Sequence, residues 1–125
     1  MRVSRALVRA KLGDQLVLDV HLYQLFSSED QRMTLGQHID KVQYEWKDLL
    51  LNVSGQVPVL VGEWSATLPS RVTTPAACRQ FYEAQINTFN ETAWAHSYWS
   101  YKVPGGGSWS YRDQPLLSVK ENLGN

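Results

Sequence analysis

A short apolar run, Val-Pro-Val-Leu-Val at residues 57–61, leads directly into Gly-Glu-Trp-Ser at residues 62–65. A short, β-branched and continuous run predicts a strand buried in a parallel sheet, and Pro58 is acceptable at the beginning of such a strand. Burying an ionised carboxylate without partners is strongly unfavourable, so Glu63 at the strand end needs an explanation. We interpret it as a nucleophile or general base held by polar side chains. The structural alternative is a glutamate that simply reaches solvent.

The segments on either side give the order strand, helix, strand, helix, strand. The first strand is Leu-Val-Leu-Asp-Val at residues 16–20, and the third is the run at residues 95–101. Apolar residues with helical spacing fill residues 33–51, before Gly55 as a stop, and residues 73–89, where Thr73-Thr-Pro75 offers an N-cap and a first-turn proline. This order predicts two right-handed βαβ units in a parallel α/β fold, whose ligands gather at the carboxyl ends of the strands.

Three further side chains are expected at those strand ends. His21 and Tyr23 alternate along the first strand, so both point to one face, where they can converge on Glu63. Trp99 lies on the third strand, toward its end, and offers an aromatic floor for a pyranose ring. The alternatives are satisfied structural roles for His21 and Tyr23, and a core position for Trp99.

Composition narrows the classes of partner. The 125 residues suit one domain, and 12 Lys+Arg against 12 Asp+Glu leave a net charge of zero, so neither nucleic acid nor an anionic membrane is expected.

The single Cys78 excludes an internal disulfide and is expected to be a buried thiol. The histidines lack metal-ligand spacing, and no nucleotide fingerprint is present, so we expect no metal and no cofactor. Asn52 and Asn90 each begin an Asn-X-Ser/Thr motif, which would be an N-glycosylation acceptor if the protein is secreted by a eukaryote.

Three ordered motifs carry a family resemblance. The segments LDVHLYQLF (18–26), VLVGEWSAT (59–67) and YWSYK (98–102) resemble the last three strands of glycoside hydrolase family 5, closest to its fungal and oomycete exo-β-1,3-glucanase branch. The resemblance implies a partial TIM (β/α)8 barrel, with residues 1–125 as the C-terminal part of the catalytic domain, equivalent to strands six to eight. A whole barrel takes roughly 250 residues.

The resemblance also implies roles for the candidate residues. Glu63 is similar to the catalytic nucleophile, His21 and Tyr23 to substrate-site residues, and Trp99 to the floor of the sugar subsite. The acid/base glutamate of the family, in an Asn-Glu pair after the fourth strand, precedes every segment seen here. Asn90-Glu91 has the right letters, but it lies at the end of the second helix, so we reject it. We therefore expect this chain to be inactive by itself.

The expected function is that of a retaining O-glycosyl hydrolase, glucan 1,3-β-glucosidase-like and acting on β-glucan, with the missing half of the barrel as a possible partner. Two alternatives stay open: a non-catalytic carbohydrate-binding remnant, and a fragment of an endo-β-1,4-glucanase (cellulase). The resemblance implies an extracellular location, although the beginning of the chain lacks a signal peptide's apolar segment. A partial barrel is also expected to expose two strand edges and an apolar inner face.

Overall fold

The computed structural model describes residues 16–114. Its centre is a parallel sheet of three strands, β1 (Leu18–Leu22), β2 (Val59–Trp64) and β3 (Ala95–Tyr98), in the order β1-β2-β3. Helical segments connect successive strands, so the predicted α/β order with a parallel sheet is confirmed. Within the described range, β1 and β3 each pair only with β2, which leaves the outer edge of each strand unpaired. No helix there is long and apolar enough to cross a membrane.

The connection between β1 and β2 is a nearly continuous helical region. It consists of α1 (Leu35–Asp40), a π-helical segment (Lys41–Trp46) and α2 (Lys47–Ser54), and it is preceded by a 3-10 turn (Asp30–Arg32). A capping box at Thr34 and Gln37 fixes its beginning, because each side chain binds the other residue's backbone N–H. The region therefore begins two residues later than the periodicity suggested and continues to Ser54, where Gly55 follows as the predicted stop.

The second connection is α3 (Pro75–Thr92). The Thr74 hydroxyl accepts a hydrogen bond from the backbone N–H of Ala77 at 3.0 Å, and Pro75 occupies the first helical position. Proline is favoured there because its missing N–H would have no partner in the first turn. The predicted N-cap and proline start are thus confirmed.

The hydrophobic core lies between the helices and one face of the sheet. Val59 and Val61 on β2 are fully buried, and the Trp64 ring packs edge-on against Phe89 of α3 at 5.4 Å. Cys78 is 2% exposed, which confirms the predicted buried thiol, and burial raises its pKa. The other buried apolar residues are Val20, Leu22, Val42, Trp46, Leu50, Val53, Val57, Ala66, Leu68, Ala77, Phe81 and Ala84.

The opposite face of the sheet differs from the sequence-based expectation in two ways. The first strand is not buried on both faces, because Asp19 and His21 are exposed while Val20 and Leu22 are buried. The open face is also not apolar, because the exposed Ser97 on β3 adds a further polar group to it. The third strand ends at Tyr98, so Trp99 lies immediately after the strand and not within it.

Candidate functional site

A bulge in β2 determines where Glu63 points. Residues paired across β1 and β2 run Val20↔Val61 and then His21↔Glu63, so Gly62 is an additional residue that opposes nothing on β1. Strict alternation from the buried Val59 and Val61 would have placed Glu63 among the helices. The additional residue reverses the alternation, and the carboxylate emerges on the open face beside His21.

Gly62, at the bulge, lies very close to the Asp19 side chain. A Cβ atom added to Gly62 would lie 2.0 Å from Oδ1 of Asp19 and 2.8 Å from its Cγ, far inside contact distance. Glycine in a strand interior often marks a bulge or a place where another group comes close, and Gly62 does both. The Asp19 carboxylate can therefore lie over the β2 backbone, next to the side chains that surround Glu63.

Tyr23 makes the shortest contact to Glu63. Its hydroxyl donates a hydrogen bond to Oε2 of Glu63 at 2.7 Å. Burial raises the pKa of the Tyr23 phenol, and the hydrogen bond to Glu63 and the charge of that carboxylate raise it further. The phenol therefore stays a donor at neutral pH, and its direction fixes the angle of the carboxylate.

His21 lies between two carboxylates. Its Nδ1 is 3.4 Å from Oε2 of Glu63, and its Nε2 is 3.3 Å from Oδ2 of Asp19. The Glu63 side chain is 28% exposed, whereas those of His21 and Asp19 are about half exposed. The imidazole thus restrains Glu63 from the side that faces Asp19, while one edge of the group stays open to solvent or to a ligand. Oε2 is the atom in both contacts to Glu63, and within residues 16–114 Oε1 has no hydrogen-bond partner.

An aromatic group flanks Tyr23. The Trp109 ring meets it edge-on at 5.7 Å, and the Phe26 ring does so at 5.5 Å. Phe26 and Trp109 stack on each other at 6.2 Å with only 12° between their planes, and the Phe26 side chain is 72% exposed. The three rings form an apolar wall beside the carboxylate, of the kind that packs against large neutral ligands.

Trp99 lies at the same end of the sheet but farther from the carboxylate. Its backbone N–H donates to the Trp64 carbonyl at 2.8 Å, which extends the pairing with β2 beyond the end of β3, and the residue is 52% exposed. It is not the core tryptophan of the alternative interpretation. Among the described residues, no hydrogen bond or ring contact joins its indole to Glu63, His21 or Tyr23. The structure therefore brings together three of the four predicted residues, and the fourth, Trp99, makes no hydrogen bond or ring contact to them within the described range.

Sequence reasoning overlooked Asp19, Phe26 and Trp109. Asp19 carried a detectable signal, because Asp19, His21 and Tyr23 follow one another at intervals of two and so share a face. Phe26 and Trp109 carried none, because they lie in loops that are distant in sequence and meet only in the folded chain. Within the described range, no cluster of three or more His, Cys, Asp or Glu side chains has the arrangement of a metal site.

The candidate site thus consists of a part-buried glutamate that accepts a hydrogen bond from a phenol and lies beside an imidazole, at the carboxyl ends of two adjacent parallel strands, with aromatic rings on one side. When compared with protein-family models and with curated proteins, the chain matches none of them.

Proposed function

We propose that this chain supplies the nucleophile side of a retaining β-glycosidase site of the glycoside hydrolase family 5 type, acting on β-glucan. The observation that carries the proposal is the 2.7 Å hydrogen bond from Tyr23 to Glu63, made at the strand ends where α/β folds bind ligands. A glutamate that simply reached solvent would need no half-buried phenol aimed at it. Two of the three motifs that suggested the family include β1 and β2, which build this arrangement, and the third begins at Tyr98, the last residue of β3.

The two oxygens of Glu63 have different surroundings, which suits nucleophilic attack. Tyr23 and His21 both contact Oε2, which leaves Oε1 to attack the anomeric carbon of a sugar. In that step the Oε1–C1 bond forms and the bond from C1 to the leaving oxygen breaks. Water then attacks C1, the Oε1–C1 bond breaks, and the carboxylate is restored.

A second carboxyl group is required to complete this chemistry. In retaining glycosidases it lies about 5 Å from the nucleophile, protonates the leaving oxygen and afterwards activates the water. Asp19 is held on the far side of the imidazole, and we do not assign it this role. We propose that βα units paired to the outer edges of β1 and β3 supply the acid and close a TIM barrel around Glu63.

A fluorinated sugar provides a direct test. A 2-deoxy-2-fluoro-β-glucoside with a dinitrophenolate leaving group needs no acid to react, and its glycosyl ester hydrolyses slowly enough to be identified by peptide mass spectrometry. We expect the product of the longest reading frame that contains this chain to hydrolyse β-glucan and to carry the label on Glu63. Glu63→Gln should abolish both results, and Glu45→Gln, at an exposed helical glutamate, should change neither. Label on another residue, or full turnover by Glu63→Gln, would refute the assignment.

The exposed aromatic side chains favour one alternative, a sugar-binding surface without catalysis. Trp99 is 52% exposed and Phe26 is 72% exposed, so both rings are available to the apolar faces of pyranoses. Titration of the 125-residue chain with laminarin oligosaccharides, followed by tryptophan fluorescence, separates the two functions. Binding that Trp99→Ala removes, together with no turnover by the longer protein, supports the binding surface. Turnover that depends on Glu63 supports the enzyme.

A further inference from the structure

A buried polar pair lies behind the site, between the loop after β1 and helix α1. Gln24 is 1% exposed and His38 is fully buried. The Gln24 Nε2 donates to the backbone carbonyl of His38 at 3.1 Å, and the His38 Nδ1 lies 2.8 Å from Oε1 of Gln24. Because the amide nitrogen of Gln24 faces a carbonyl, its Oε1 must be the acceptor of the second bond. The proton of a neutral His38 is therefore on Nδ1.

This pair is attached directly to the residue that contacts Glu63. Gln24 follows Tyr23, and the alternation of β1 continues through them, since Leu22 and Gln24 are buried while the Tyr23 hydroxyl reaches Glu63. We propose that the Gln24–His38 pair is a positioning device, which holds the Tyr23 backbone so that the phenol meets Glu63. The importance of this device for catalysis rests on the proposed function, but its effect on the Tyr23–Glu63 bond does not.

A second buried contact secures the same loop to the next turn of the helical region. Lys41 Nζ is 3.3 Å from Oδ1 of Asp30, which is 5% exposed, and the Asp30 backbone N–H donates to the Ser27 hydroxyl at 2.9 Å. Burial opposes ionisation of Asp30, but the bonds from Ser27 and the charge of Lys41 outweigh it and lower the pKa of the carboxyl. The loop is thus anchored at Gln24 and at Asp30, and only the Gln24 anchor adjoins Tyr23.

The His38 ring makes one hydrogen bond to Gln24, through Nδ1. Its Nε2 is buried and has no hydrogen-bond partner among the described residues, so Nδ1–H is the donor that the ring offers to Oε1 of Gln24. Without a donor at that point, Oε1 of Gln24 would be buried and unsatisfied, which is unfavourable enough to make the loop rearrange. A shift of about 1 Å at Tyr23 would stretch its 2.7 Å bond beyond hydrogen-bond length.

Two substitutions of His38 separate the donor from the ring. In His38→Asn the side-chain amide nitrogen occupies the place of Nδ1 and keeps the donor. In His38→Gln the amide nitrogen occupies the place of Nε2 and loses it. Both variants remove the edge-on ring contact to Phe81, at 5.9 Å between centroids, so they share the loss of packing and differ in the donor.

The experiment observes the Tyr23 hydroxyl in the whole 125-residue chain. Tyrosine labelled with carbon-13 at Cζ is incorporated, the Tyr23 resonance is assigned with Tyr23→Phe, and its chemical shift reports the hydrogen bond to Glu63. We expect His38→Gln to displace this resonance and His38→Asn to leave it near the original position. The Tyr98 resonance is the internal control, because its hydroxyl accepts from the Ala66 N–H at 3.0 Å on the helical side of the sheet.

An unchanged Tyr23 resonance in His38→Gln, or equal displacement in both variants, would overturn the inference. If His38→Gln does not fold, Gln24→Met removes the pair from the side of the loop, and the same resonance decides the question. In the longer protein, His38→Gln should lower kcat about 10- to 100-fold with little change in KM, and His38→Asn should restore it. A displaced resonance together with an inactive parent protein would refute the proposed function and leave the positioning role standing.

Discussion

Substituting Gly62 tests whether the bulge, which directs Glu63 to the open face of the sheet, requires that residue 62 have no side chain beside the Asp19 carboxylate. In Gly62→Ala the new Cβ would lie 2.0 Å from Oδ1, 2.8 Å from Cγ and 3.1 Å from Oδ2 of Asp19, and these are its three nearest neighbours. The Asp19 side chain is 54% exposed, so it can rotate into solvent, but it then leaves the His21 imidazole at 3.3 Å. We expect a modest loss of stability and a His21 side chain that is no longer restrained from this side.

The expected change in the free energy of unfolding is the sum of three contributions. Overfilling a packed position costs about 1–3 kcal/mol, and losing a half-exposed charged contact costs about 0–1 kcal/mol. Gly62 is not among the glycines with positive φ, so alanine fits its backbone and restricts the unfolded chain, which stabilises by about 0.4–1 kcal/mol. The net effect should be a loss of about 1–2 kcal/mol. In an Asp19→Ala background the clashing atoms are absent, and Gly62→Ala should be neutral or slightly stabilising.

Urea unfolding of the four proteins in this cycle, followed by tryptophan fluorescence and circular dichroism, measures the coupling between the two positions. A coupling of about 1–3 kcal/mol is expected from the difference between the two backgrounds. If Gly62→Ala destabilises both backgrounds equally, Asp19 is not what excludes a side chain at residue 62. The explanation given for the bulge would then be wrong.

Three further predictions use other contacts. Thr74→Ala should lower the free energy of unfolding by about 1 kcal/mol in urea, because the Ala77 N–H loses its cap; an unchanged midpoint would contradict the capping role. Tyr23→Phe in the longer protein should lower kcat/KM about tenfold. This is near the lower end of the free energy expected for a hydrogen bond to a charged group, because the Glu63 side chain is 28% exposed. A kcat/KM equal to that of the parent protein would argue against the contact. Burial lowers the pKa of His38 in the folded chain, so on acidification the unfolded chain binds a proton at this residue before the folded chain does. The contribution of neutral His38 to the free energy of unfolding should therefore be complete above about pH 6.5. Below that pH the free energy of unfolding should fall by at most about 1.4 kcal/mol per pH unit. Urea titrations at pH 7 and about pH 5.5 should show a weaker dependence in His38→Asn, and an identical dependence would exclude His38 as the source.

Local sequence patterns were sufficient for the order of the elements and for several of their ends. The apolar run before Glu63, the Thr74-Pro75 start of α3 and the Gly55 stop each act through neighbouring residues, so they can be read without the fold. The shared face of His21 and Tyr23 follows in the same way from the period of two in a strand. These features predicted that Glu63, His21 and Tyr23 would meet at the carboxyl end of the sheet.

The direction of Glu63 was decided only in three dimensions. Alternation along β2 alone would have turned it toward the helices with Val61, and the bulge at Gly62, fitted against Asp19 of another strand, turns it to Tyr23 and His21. The aromatic wall of Phe26 and Trp109 and the Gln24–His38 pair likewise join segments far apart in the chain. The spacing of apolar residues and the capping of helix ends depend on neighbouring residues, so both can be predicted from the sequence. A bulge, a buried polar pair and a ring stack depend on how distant segments fit together, and no local pattern records that fit.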